Sequence, residues 1–203
     1  MKVLVIPFGM RCNAAMVANA IVNQPRLPFD WTQMSPESML EVLQLSRGST
    51  QSFWESYFSE MDTTNHNKRT GSWLPHDTFV TEEERKATVD KYVRRTTRLQ
   101  EALAREEHKV FLVFFGFPVA DTLDTTRKLI SGIRYSCKEN YSIIICNAVY
   151  QEYRDDFLYF IYEPLLQTES DDENKDWNDL TKRVENRIRV LLEDKVWEPV
   201  PIL

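Results

Sequence analysis

Four stretches of this chain, residues 2–6, 110–115, 142–146 and 157–162, are apolar without alternating polar positions. A strand with one wet face alternates apolar and polar side chains. A continuous apolar run is the pattern of a strand buried on both faces, as in a parallel sheet with helices above and below it. Helical patterning fills the intervals: Asn13 to Val22, a segment opening at Ser35-Pro36, a long one from Thr81 to about Arg105, another from about Val119 to Lys138, and a last one from Trp177 to about Trp197. The order predicts an α/β fold, a single layered domain over residues 1–203 whose mainly parallel sheet is flanked by helices. An acidic loop, 168–176, and a short apolar C-terminal tail, 197–203, complete the domain.

Local signals agree with this division. Ala14, Ala15, Ala18 and Ala20 would let the first helix approach a sheet closely. Ser35 is placed to cap the second helix with Pro36 at its first position, and Ser38 stands where a capping-box acid would be. Thr81 and Glu84 form a complete capping box. Phe53 to Phe58 reads as a short helix or edge strand packed by its aromatic residues. Residues 62–75 are rich in turn formers and read as a loop, with Trp73 and Leu74 as its anchors.

Charge and composition exclude several functions. At a formal net charge of −6, the chain lacks the broad basic surface that nucleic acid requires, and Arg94, Arg95 and Arg98 are its one tight basic group. The cysteines Cys12, Cys137 and Cys146 are odd in number and widely spaced. They suit a reducing compartment rather than a disulfide framework or a zinc ribbon. No run is long enough for a membrane span, and the first apolar run is too short for a secretory signal. The expectation is a soluble protein of the cytoplasm, or of a particle assembled there, with no cofactor, no metal, no nucleic acid and no membrane span.

The first apolar run breaks at Pro7-Phe8-Gly9 and leads to Cys12 at the start of the first helix. A thiol there meets unpaired backbone N–H groups and the positive end of the helix dipole, both of which favour thiolate. The competing reading is a small side chain packed in a tight turn. The chain has three histidines. His66 lies in a polar loop, His108 in a connector before a strand, and His76 follows Pro75 and precedes Asp77, with Trp73 and Phe79 as apolar flanks. A thiol hydrolase needs a nucleophile, an imidazole that takes and returns its proton, and a group that orients the ring. Cys12, His76 and one of Asp30 or Asp77 would supply that set. Asp77 is the less suited of the two acids, because sequence neighbours on an extended chain point in different directions. Gly9 permits unusual backbone geometry at the turn, where N–H groups would stabilise an oxyanion.

These motifs occur in order: Gly9-Met10-Arg11-Cys12 before an alanine-rich helix, Pro28-Phe29-Asp30-Trp31, His76-Asp77 with Phe79, and Lys91 to Arg98. In that series the chain resembles the papain-like cysteine peptidases of bacteria and large DNA viruses, over roughly residues 1 to 150. The resemblance implies Cys12 as nucleophile, His76 as its histidine and Asp30 as the acid of the Pro-Phe-Asp-Trp motif. Thr78 separates His76-Asp77 from the aromatic residue that directly follows in the family. The family name implies a split α+β papain architecture, whereas the strand–helix alternation favours a layered parallel sheet.

Substrate contacts are expected from Gly9, Trp31, Asp77, Arg94, Arg95 and Arg98. Arg94 and Arg98 share a helix face and could clamp a carboxylate or phosphate, or pair with surface acids. The leading expectation is a cysteine hydrolase acting on a peptide or other acyl bond. The alternative is a non-catalytic structural or interaction protein, for instance a component of a large DNA virus particle. It would present Phe53, Trp54, Tyr57, Phe58 and the C-terminal tail to a protein partner. A nucleotide-binding module is disfavoured, because the turn after the first run lacks both G-x-G-x-x-G and a P-loop lysine.

Overall fold

A computed structural model describes residues 1–9, 13–114, 122–137, 140–146, 158–161, 173–192 and 197–202. The chain runs β1 (Lys2–Gly9), α1 (Asn13–Ile21), α2 (Pro36–Gln44), a 3-10 turn (Arg47–Ser49), α3 (Thr50–Ser59), α4 (Glu82–Ala104), β2 (His108–Phe114), α5 (Thr122–Ser136), β3 (Tyr141–Cys146), β4 (Leu158–Ile161), α6 (Glu173–Leu191) and β5 (Glu198–Pro199). The strands form one sheet in the order β4-β3-β2-β1-β5, and every pairing is parallel. The chain is therefore a layered α/β domain, and the papain-type α+β alternative is set aside.

Both faces of the sheet are covered. Leu4, Ile6, Phe8, Phe111, Val113, Ile143 and Ile145 point to one side, where they meet residues of α2, α3, α4 and α5. Val3, Val5, Val110, Leu112 and Ile144 point to the other, against Ala14, Val17 and Ala18 of α1 and Val184, Ile188 and Leu192 of α6. Handedness accounts for the division. Strands β1 to β4 are laid down in one direction, which puts the crossover helices on one face, and α6 returns from β4 to β5 the other way and lies on the opposite face.

Helix α1 is the exception, since it occupies the α6 face although β1 and β2 are neighbours. The chain after α1 must cross to the other face, and it does so over the open edge of β1. There Gln24 donates from Nε2 to the Val5 carbonyl at 2.9 Å. Val200 donates to the Val3 carbonyl at 2.9 Å on the same edge, where β5 pairs with Lys2 and Val3 only. The same side of the strand explains why β1 runs on through Pro7 to Gly9 rather than breaking at Pro7. Alternate residues direct their polar groups to alternate sides, so Pro7 shares the orientation of Val3 and Val5. Its missing N–H falls on the edge beyond β5, where no strand pairs among the described residues.

Three further expectations are corrected. Phe53 to Phe58 belongs to α3, with Trp54, Tyr57 and Phe58 fully buried against Tyr92 and Phe79. These rings are core, not a partner surface. The C-terminal tail is taken up by the chain itself: Glu198 and Pro199 add to β1, and Ile202 is buried in the main core. In the acidic segment 168–176, residues from Glu173 onward are already in α6, and 168–172 lie outside the described residues. Among the described residues, no helix is long and apolar enough to cross a membrane.

Candidate functional site

Strands β1 and β2 end together, with Gly9 opposite Phe114, and from there the chain leads to helices on opposite faces, α1 and α5. In open parallel sheets, that divergence opens a crevice beyond the carboxyl ends of the strands, where ligands bind. Gly9 is demanded by close approach rather than by backbone geometry. A Cβ there would stand 3.0 Å from both Cβ and the carbonyl oxygen of Phe114, and 3.2 Å from Cβ of Ala14. Its φ is not in the left-handed region. Cys12, with Met10 and Arg11, lies outside the described residues, and it is covalently joined to Asn13, the first residue of α1.

The Pro28-Phe29-Asp30-Trp31 turn docks at this end of the sheet, because the Phe29 ring meets Phe8 of β1 edge to face at 4.7 Å. Asp30 closes the turn. Its Oδ2 accepts from the Leu27 N–H at 3.0 Å, while the Asp30 N–H donates to the Leu27 carbonyl at 3.2 Å. Trp31 takes a positive φ of 62°, which is strained for an aromatic residue, and is half-buried. Its ring meets the His76 imidazole edge to face at 5.6 Å, and the Arg26 guanidinium lies 5.5 Å from its centroid. The flank of His76 is thus Trp31, not Trp73 and Phe79. Trp73 stacks on His66, and Phe79 is buried against Phe58. His76 itself is exposed.

Asp77 faces the opposite way. It is buried, its Oδ2 accepts from the Tyr92 hydroxyl at 2.8 Å, and its Oδ1 contacts the Lys91 ammonium. Both oxygens are committed to α4, so Asp77 does not orient the His76 ring. Neither does Asp30, which is hydrogen-bonded to Leu27 and leaves Oδ1 buried without a partner. Burial pushes the Asp30 carboxyl up to about 6, against the pull of the Leu27 N–H and of Arg95, Arg26 and Arg98.

Helix α4 forms the wall behind these two loops. Arg95 is buried with its guanidinium 5.0 Å from the centre of the Tyr92 ring, and burial pulls its proton affinity down. Arg98 donates to the Arg26 carbonyl at 2.5 Å. Burial and the cations Arg95, Arg26 and Arg94 bring Lys91 down to about 8, a fall that its contact with Asp77 opposes. Arg94 is exposed on the same helix. The structure therefore gathers Asp30, Trp31, His76, Asp77, Arg95 and Arg98 around the middle of α4.

Lys91, Tyr92 and Arg26 are parts of this cluster that the sequence reading assigned no role. Lys91 precedes Arg94, Arg95 and Arg98 at helical spacing, a signal available from periodicity. Arg26 carries none beyond its position ahead of Leu27. The other histidines are elsewhere: His66 lies within bonding distance of Thr64, and His108 opens β2 with Nε2 2.9 Å from the Ser142 hydroxyl. Cys137 is a core thiol, which burial pushes up. No group of three or more His, Cys, Asp or Glu suited to a metal ion occurs among the described residues. No protein-family model, no curated protein and no solved structure matches this chain.

Proposed function

We propose that the chain is a cysteine hydrolase that cleaves an acyl bond through a thioester at Cys12, with His76 as general base and acid. The observation that carries this reading is the placement of His76. Its ring is exposed, held edge-on by Trp31, in a loop cluster anchored through Phe29 and Phe8 at the end of β1 from which the chain leads to Cys12. In the first step His76 takes the thiol proton, the sulfur attacks the acyl carbon, and the proton passes to the leaving group. Water then attacks the thioester, giving its proton to His76 and releasing the acid and the thiol. Backbone N–H groups at the start of α1 are suited to the oxyanion.

Labelling with a thiol-directed acyl electrophile, read by peptide mass, tests the pair. Cys12 should react at about pH 6, below the range of an ordinary thiol, and His76→Ala should slow the reaction by about a hundredfold. Buried Cys137 serves as the internal unreactive thiol. A Cys12 that reacts only as pH rises toward about 8.5, equally in wild type and His76→Ala, would leave the domain as a non-catalytic scaffold.

A further inference from the structure

An acidic chain of net charge −6 has brought Arg26, Lys91, Arg94, Arg95 and Arg98 within electrostatic reach of one another. Five cations face two carboxylates, Asp30 and Asp77. Surface arginines ordinarily pair with acids, of which this chain has 31, yet among the described residues only Lys91 of this group has a carboxylate within ion-pair distance. Arg94 is exposed, and the other three are held by different means. Arg26 lies against the Trp31 ring, Arg95 is buried against Tyr92, and Arg98 donates to the Arg26 carbonyl. Such contacts fix the guanidiniums in place without neutralising them, and packed cations with unspent donors are arranged for an anion supplied from outside. Trp31 adds a second sign, since its buried Nε1–H has no acceptor.

We infer that this cluster binds a phosphate monoester dianion carried by the acyl substrate. That the anion belongs to a substrate rests on the thiol hydrolase reading. A dianion is favoured over a carboxylate because the cations exceed the carboxylates by three even with both acids ionised. A phosphate also offers three terminal oxygens to the guanidinium forks, where a carboxylate offers two. The phosphate would sit between Trp31 and α4, on the His76 side of the crevice, and hold the acyl group toward Cys12.

Isothermal titration of the Cys12→Ala protein with inorganic phosphate, phenyl phosphate and benzoate reads the site without turnover. Saturable binding of one phosphate is expected, about tenfold or more tighter for phenyl phosphate than for benzoate. Arg98→Gln and Arg26→Gln should each weaken it by about tenfold. Arg95→Gln, which risks the fold, is not needed. In the wild type, phenyl phosphate should protect Cys12 from the acyl electrophile at concentrations that saturate the site. Absence of saturable binding, or binding unchanged in both arginine variants, would overturn the site. Equal affinity for benzoate would overturn the phosphate assignment, and binding without protection would overturn its place in the substrate. Phosphate binding with an ordinary, His76-independent Cys12 would sink the hydrolase and spare the anion site. A reactive Cys12 with no phosphate binding would do the reverse.

Discussion

Asp30 shows how a motif can name a residue and leave its partner undecided. Its place in Pro-Phe-Asp-Trp was legible, but whether it turned toward His76 or toward the backbone depended on the turn at Leu27, which the sequence does not display. With an ordinary value of 3.8 and a folded value of about 6, the native state keeps a proton that the unfolded chain has released across that interval. Its contribution to stability is therefore greatest below the unfolded value and is lost as pH rises through the folded one, by roughly 3 kcal/mol at most. Asp30→Asn should flatten the fall in urea midpoint across that interval, and at about pH 7.5 the variant should be at least as stable as the wild type. A pH slope unchanged by the substitution would mean that the carboxyl is not held neutral there. Lys91 and Tyr92 were missed for a related reason. Their partner, Asp77, lies 14 and 15 residues earlier, and nothing local announces that it turns inward.

At the level of elements, the helices and the four long strands were legible because periodicity and caps are local. Thr81 and Glu84 make both halves of the capping box, and Ser35 caps α2 through the Ser38 N–H. Helix α3 was ambiguous because six residues with four aromatics satisfy either period. The aromatic rings are buried by α4, a partner more than twenty residues away, and that contact decides the helix. Strand β5 was illegible, since two residues with a proline carry no strand pattern and gain one only by lying beside β1. Where β1 meets β2 and α1, at Gly9, the close approach is to backbone as well as side chain. Gly9→Ala should cost about 1–3 kcal/mol in denaturant unfolding. It should also disturb the crevice, so that Cys12 labelling changes even at temperatures where the fold persists. A fully stable Gly9→Ala protein would show that the ends of β1 and β2 and the start of α1 are not clamped as described.

Across the whole molecule, parallel pairing and two covered faces follow from continuous apolar runs, while the route of the chain between the faces does not. The crossing after α1 and the return of residues 197–202 meet on the same edge of β1, and Ile202 reaches the main core beyond it. Ile202→Ala should destabilise the domain by about 2–4 kcal/mol, far more than an untethered tail residue would, as chemical denaturation will register.

The edge of β1 has a further consequence for the life of the protein in concentrated solution. A long parallel strand with one unpaired side is a template on which another chain can add. Here that side is occupied by an amide side chain, a proline that offers no donor and a two-residue strand. Loss of the tail, by proteolysis or by thermal fraying, would uncover backbone groups at Met1 and Val3 while most of the core stayed folded. Self-association and sedimentation of trimmed molecules, rather than loss of helical signal, should then be the first visible sign of damage.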